Sequence, residues 1–147
     1  MSEAYSRALG YLAPRNRTVK EITDYLIRKG FSAEEILQAV SRLVESDLVD
    51  DRRTAEQWVD YCLTCRPRGR DRLRLELIRR GIDRDLVESV LAPVDDSTEY
   101  QLALKLLAPR PVQDWTRARL YRFLRYRGFS FEVIERICMH YENLTQG

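Results

Sequence analysis

At 147 residues the chain is long enough for one ordinary domain or three very small modules. Hydrophobic residues make up 44%, enough for a packed core, and charged residues 33% at a net charge of only +2, so what matters is where the charges segregate. With no apolar run that could span a bilayer, no apolar signal-peptide core and only three cysteines, the composition excludes a membrane span and a disulfide framework, and predicts a reducing, cytoplasmic setting.

Apolar residues recur at helical spacing through most of the chain, and nothing reads as β. The first helix is predicted near Glu3–Leu12, ended by Pro14. The second runs from about Thr18 to Lys29 with Ile22 and Leu26 on one face; Thr18 followed by Glu21 is a capping-box pattern, and Gly30 stops the helix. Ser32, with Glu35 three residues on, caps a third helix whose core stripe is Ile36, Val40 and Leu43. The next helix opens at about Arg52, with Ala55, Trp58, Val59 and Cys62 on one side; Asp50-Asp51 before it read as a loop or N-cap pair. Helices over Arg68–Arg80 and Asp83–Leu91 follow, and Pro93 with Asp95-Asp96 marks a joint. The last third reads as helices over Tyr100–Leu107, Val112–Arg127 and Phe131–Tyr141, with a frayed tail at Asn143–Gly147.

Three stretches repeat. Leu26-Ile27-Arg28-Lys29-Gly30-Phe31-Ser32 is echoed by Leu77-Ile78-Arg79-Arg80-Gly81-Ile82-Asp83 and by Leu124-Arg125-Tyr126-Arg127-Gly128-Phe129-Ser130. Such a repeat means one supersecondary unit stacked along the chain, and a long binding surface rather than a single catalytic pocket. The predicted fold class is all-α: three tandem three-helix repeats over 1–48, 49–94 and 95–147, forming an elongated array open to curvature.

The repeats differ on the face of the middle helix opposite the core. In the second, Leu73 and Leu77 face inward and Arg68, Arg72, Leu75 and Arg79 outward, within a run from Arg66 to Arg80 that holds seven arginines against Asp71 and Glu76. Like charges one turn apart cost about 0.2–0.5 kcal/mol per pair, so the face suits an anionic partner rather than the helix itself. In the third repeat the same face is Trp115, Arg119, Arg122 and Tyr126, which mixes guanidinium groups with stacking platforms. In the first it is Arg17, Glu21, Asp24 and Arg28, charge-mixed and a weaker candidate. The candidate binding residues are therefore Arg66, Arg68, Arg70, Arg72, Arg79, Trp115, Arg119, Arg122 and Tyr126. Against this stands the plainer reading of a solvated charged face with Trp115 and Tyr126 packed between repeats; the use of Arg rather than Lys favours recognition.

No catalytic residue, metal ligand or cofactor is predicted. Cys62-x-x-Cys65 with Cys138-x-His140 adds up to four zinc donors, but residues two apart on a helix point in nearly opposite directions, and the first pair sits at core-like spacing. No phosphate loop, nucleophile elbow or metalloprotease motif occurs.

Leu48-Val49-Asp50-Asp51-Arg52-Arg53-Thr54-Ala55, then Arg66-Pro67-Arg68-Gly69, then Leu73-x-x-x-Leu77-x-x-Arg80-Gly81-Ile82, resembles the RecX family, as does Ala8-Leu9-x-Tyr11-Leu12-Ala13-x-Arg15 leading to Lys29-Gly30-Phe31. The resemblance covers about the whole chain and is densest in its first two repeats. It implies a monomeric, non-enzymatic bacterial regulator of recombination, DNA repair and the SOS response, built from three-helix modules. Such a protein binds the RecA filament along its groove and inhibits its ATPase, coprotease and strand-exchange activities. Single-stranded DNA is the implied nucleic-acid partner and double-stranded DNA a further one; a helical DNA-binding module acting independently of RecA is the alternative. Thr54 stands where the family usually has an aromatic residue, so either Trp58 fills the core in its place or the second repeat packs differently.

Overall fold

Short polar side chains set where the helices begin. Thr18 and Ser32 each accept the N–H of a glutamate three residues on, while that glutamate accepts the N–H of the capping residue, so both predicted capping boxes are present. The computed structural model describes residues 2–141 and Leu144. Among the described residues it holds nine α-helices, one 3₁₀ turn and no strand. The helices are α1 (Glu3–Leu12), α2 (Val19–Arg28), α3 (Ala33–Glu45), α4 (Asp51–Cys65), α5 (Arg70–Arg79), α6 (Arg84–Leu91), α7 (Asp96–Leu107), α8 (Arg117–Tyr126) and α9 (Phe131–His140). The expected fraying of the tail falls on residues outside this description, apart from Leu144, which is partly buried.

The chain forms two compact units, Met1–Gln57 with Leu77–Val87 and Trp58–Glu76 with Glu88–Gly147; the boundary runs through α4, α5 and α6. In the first unit α1, α2 and α3 close over Tyr5, Ala8, Ile22, Leu26, Ile36, Val40 and Leu43. In the second, α7, α8 and α9 close over Leu107, Trp115, Leu120, Leu124, Phe129, Ile134 and Ile137.

Two expected helices are shorter than the periodicity suggested. The helix expected over Val112–Arg127 is a 3₁₀ turn at Val112–Asp114, an extended Trp115, and then α8. Thr116 starts α8 by accepting the Arg119 N–H at 3.0 Å, which frees Trp115 to turn inward: at 5% exposure it belongs to the core of the second unit, not to an outward face. The helix expected from Arg68 begins at Arg70. The first N–H of α5 donates to a carboxylate oxygen of Glu99 at 2.8 Å, and this cap, from far along the chain, leaves Arg68 in the preceding turn rather than on the helix.

Each unit contains a close joint between the start of a middle helix and a glycine turn. In the first, the Thr18 hydroxyl donates to the Arg80 carbonyl at 2.6 Å, the Arg80 guanidinium donates to both Glu21 oxygens at 2.9 and 3.1 Å, and Asp51 accepts the Val19 N–H at 2.9 Å. In the second, the Gly69 N–H donates to the Arg127 carbonyl at 2.9 Å and the Asp71 N–H to the Gly128 carbonyl at 3.1 Å. Asp50 meanwhile caps α4 by accepting the Arg53 N–H at 3.1 Å.

Gly128 has φ +91°, and a Cβ there would lie 2.2 Å from the Cβ of Arg72. Gly30 has a similar φ of +89° but open space around it. Alanine at 30 should therefore cost the left-handed strain alone, about 1–2 kcal/mol. Alanine at 128 adds a backbone collision and should cost roughly 3 kcal/mol or more. Urea denaturation of the two variants checks the contrast; equal losses would mean that the joint yields.

The Glu21–Arg80 pair should also shape the acid limb of stability. Burial pushes the Glu21 carboxyl up, but the hydrogen bonds from Arg80 and the Thr18 N–H outweigh it and hold it below the usual carboxylate range. Burial raises the neighbouring Asp51 carboxyl instead. Because folded Glu21 takes up its proton less readily than the unfolded chain, its contribution is full above the ordinary glutamate value and disappears as pH falls through the folded one. Glu21→Gln should lower stability at neutral pH by about 1 kcal/mol or more and flatten the loss between neutral and acid pH, measured by denaturation at several pH values.

Candidate anion-binding cleft

The joint between Gly69 and Arg127 decides which side chains meet in the second unit. It sets the turn before α5 beside the end of α8, and between them lies a cleft of ≈ 360 Å³ lined by Arg66, Pro67, Arg68, Arg72, Leu106, Tyr126 and Arg127. Four guanidinium groups thus share one cavity. One carboxylate serves two of them: Glu76 pairs with Arg68 and lies 3.5 Å from Arg72 Nε. That Nε is buried and makes no hydrogen bond among the described residues. Arg72 also donates to the Tyr126 carbonyl at 3.4 Å and lies 5.5 Å over the Tyr126 ring.

The positive charges here are crowded. Burial, with Arg66 and Arg72 adding to it against the opposing influence of Cys62, pushes the Arg68 guanidinium down. Burial, followed by nearby Arg110, does the same to Arg127. Arg127 is held instead by aromatic and backbone contacts, lying 3.6 Å over the Phe123 ring and donating to the Phe123 carbonyl at 3.1 Å. Arg110 lies 5.1 Å over the same ring. Phe123 meets Trp115 edge-on at 5.1 Å, and Arg119 lies 4.3 Å over Trp115.

Arg66, Arg68, Arg72 and Tyr126 of the sequence candidates therefore come together. The others do not line the cleft. The Arg70 charge is neutralised by Asp96 and by Glu99, which is 0% exposed. Arg79 is exposed in the first unit, Arg122 is exposed on α8, Arg119 covers Trp115, and Trp115 is core.

The sequence reading missed three members of the site. Arg127 carried a signal, since it is the basic residue before the repeated glycine. Glu76 and Trp58 carried none that was local. The Trp58 indole donates to Glu76 at 3.4 Å and its ring lies 5.9 Å from the Arg68 guanidinium carbon. Trp58 is half-buried, and Thr54 itself is buried at 4% exposure, so Trp58 supports the cleft rather than filling the place of a missing core aromatic. Among the described residues no group of three or more metal-ligating side chains occurs, and Cys62 and Cys138 are buried thiols.

Arg70 gives a clean test of structural against binding roles. Glu99→Ala removes a buried partner and should cost about 3 kcal/mol. Asp96→Ala, at the exposed end of the same network, should cost under about 1 kcal/mol. Thermal or urea unfolding measures both; near-equal effects would show that burial does not set the strength of this network.

Comparison with known proteins supplies the context. Family models for the first and second three-helix domains of RecX match residues 4–43 and 50–91. A regulatory protein RecX of Chlorobium phaeobacteroides is 33% identical over 134 residues, covering 90% of this chain and 89% of the relative. Regulatory protein RecX of Clostridium botulinum is 31% identical over 127 residues, covering 81% of this chain and 59% of the relative, and that of Bacillus pumilus is 30% identical over 142 residues, covering 92% and 54%. The chain thus spans little more than half the length of those last two. A crystal structure of RecX from Lactobacillus salivarius superposes with a TM-score of 0.83 at 27% identity, covering 95% of each chain. Another, of a regulatory protein RecX, gives 0.78 at 26% identity, covering 92% of this chain and 71% of that one.

Proposed function

Because this chain belongs to the RecX family of regulatory proteins, we propose that it is a non-enzymatic regulator of recombination and DNA repair that binds the RecA–single-stranded DNA filament and inhibits its ATPase, coprotease and strand-exchange activities. In this reading it acts in the cytoplasm, as a monomer, through three tandem three-helix repeats at 1–48, 49–94 and 95–147. The observation that carries it is the cleft of four arginines, two of which share the Glu76 carboxylate. Such a site wants an anionic partner, and both the DNA of the filament and acidic protein surfaces are anionic. Arg66, Arg79 and Arg122 are each exposed, and electrostatic complementarity speeds encounter and selects the partner more than it adds affinity. The same cleft also favours a second reading, a DNA-binding module that acts without RecA.

Titration of the protein into RecA hydrolysing ATP on single-stranded DNA separates the two. ATP turnover should fall with added protein, and charge reversal at Arg72 and Arg79 should weaken the inhibition while far-ultraviolet circular dichroism keeps its helical signal. An unchanged RecA rate at saturating protein, with DNA binding intact, would leave the independent DNA-binding module standing.

A further inference from the structure

The two glycine-turn joints share a plan and differ in charge. In both, the residue before the glycine offers its carbonyl to the residue that starts a middle helix: Arg80 to Thr18 in the first unit, Arg127 to Gly69 in the second. In the first, the Arg80 guanidinium turns back onto Glu21 and the joint is closed by an internal carboxylate. The spacing that relates Leu26 to Leu77 places Arg72 where Glu21 stands. The second joint therefore meets Arg127 with another cation, and Arg127 makes no ion pair among the described residues.

We propose that the cleft of Arg66, Arg68, Arg72, Tyr126 and Arg127 is a phosphodiester-binding site for single-stranded nucleic acid, the phosphate taking the place that the Glu21 carboxylate holds in the first joint. The proposal deepens the regulator reading and rests on it only for nucleic acid being within reach. Three features select a nucleotide over an acidic peptide. The cavity of ≈ 360 Å³ is large for a carboxylate but falls in the range of small-molecule sites, about 300–1,000 Å³. Its wall includes Pro67 and Leu106, which suit a sugar or base rather than a charge. Tyr126, 72% exposed at the rim, offers a ring on which a base can stack. Arg66, exposed at the mouth, is placed to meet the neighbouring phosphate.

Fluorescence anisotropy of a labelled oligothymidylate with the whole protein, RecA absent, tests this. Binding should weaken with salt, and each arginine–phosphate contact removed should reduce the logarithmic salt slope by about 0.7. Arg66→Glu and Arg127→Glu should each weaken binding about tenfold or more, the scale of one charge-assisted hydrogen bond. Arg72→Glu, which copies the first joint, should lose binding without lowering the melting temperature, while Arg28→Glu in the first unit should stay within about twofold of the parent. If Arg66→Glu and Arg127→Glu, both folded, bind the oligonucleotide as the parent does, the assignment is overturned even when the parent inhibits RecA. If they lose binding but the parent leaves RecA untouched, only the regulator reading falls. If polyglutamate of matched charge displaces the oligonucleotide as effectively as unlabelled oligothymidylate, the cleft takes acidic protein and the nucleic-acid assignment is overturned.

Discussion

The site exists because two backbones come close together. Gly69 and Gly128 meet with no room for a side chain on either: a Cβ on Gly69 would lie 2.2 Å from the Gly128 carbonyl oxygen, and one on Gly128 would strike Arg72. The left-handed turn at Gly128 sets the Arg127 and Gly128 carbonyls against the start of α5, where the Gly69 and Asp71 N–H groups donate to them. Everything attached to those turns follows. Tyr126 and Arg127 come from one side, Arg66, Arg68 and Arg72 from the other, and the cleft is the space their side chains cannot fill. A longer approach would have let the guanidinium groups separate into solvent.

That closeness sorts the arginines by partner. Asp71 holds Arg125 at 2.7 Å and Arg74 at 2.9 Å, and Asp96 with Glu99 holds Arg70. The Asp71 carboxyl is accordingly held below its usual range, since the hydrogen bonds from Arg125 and Arg74 outweigh the cost of burial. Among the described residues the carboxylates run short around the cleft. Arg68 and Arg72 divide Glu76, and Arg127 relies on the Phe123 ring and carbonyl. A nearly neutral total charge thus contains one place where cations are concentrated and partly desolvated, the condition under which an incoming anion gains most.

What was legible in the sequence was local. Thr18 with Glu21 and Ser32 with Glu35 are signals three residues long, and the structure uses both as caps. The glycines at 30, 81 and 128 announced left-handed stops and have positive φ. The misplaced residues depend on distant partners. Glu99 caps and neutralises Arg70 across the sequence, so no window around Arg70 distinguishes it from a binding arginine. Trp115 was set on an outward face by extending helical periodicity through Thr116, whose capping role was hidden because Arg119, not an acid, stands three residues on. Arg68 was read as a helix-face residue for the same reason: the helix start is fixed by Glu99 and not by its own neighbours.

One position shows how a repeated scaffold acquires different surfaces. The register that aligns Leu26, Leu77 and Leu124 also aligns Glu21, Arg72 and Arg119. Glu21 closes its joint by pairing with Arg80. Arg119 lies over the buried Trp115 ring, its charge met by a π face and not by a carboxylate. Arg72 does neither completely: it reaches Glu76 and Tyr126, and among the described residues its buried Nε has no hydrogen bond. A buried donor left unmet costs about 1–3 kcal/mol, a debt that packing with apolar residues would avoid. Under the proposed assignment an anion bound at Arg72 would meet part of that cost, so of the three aligned positions this is the one at which binding would couple to stability.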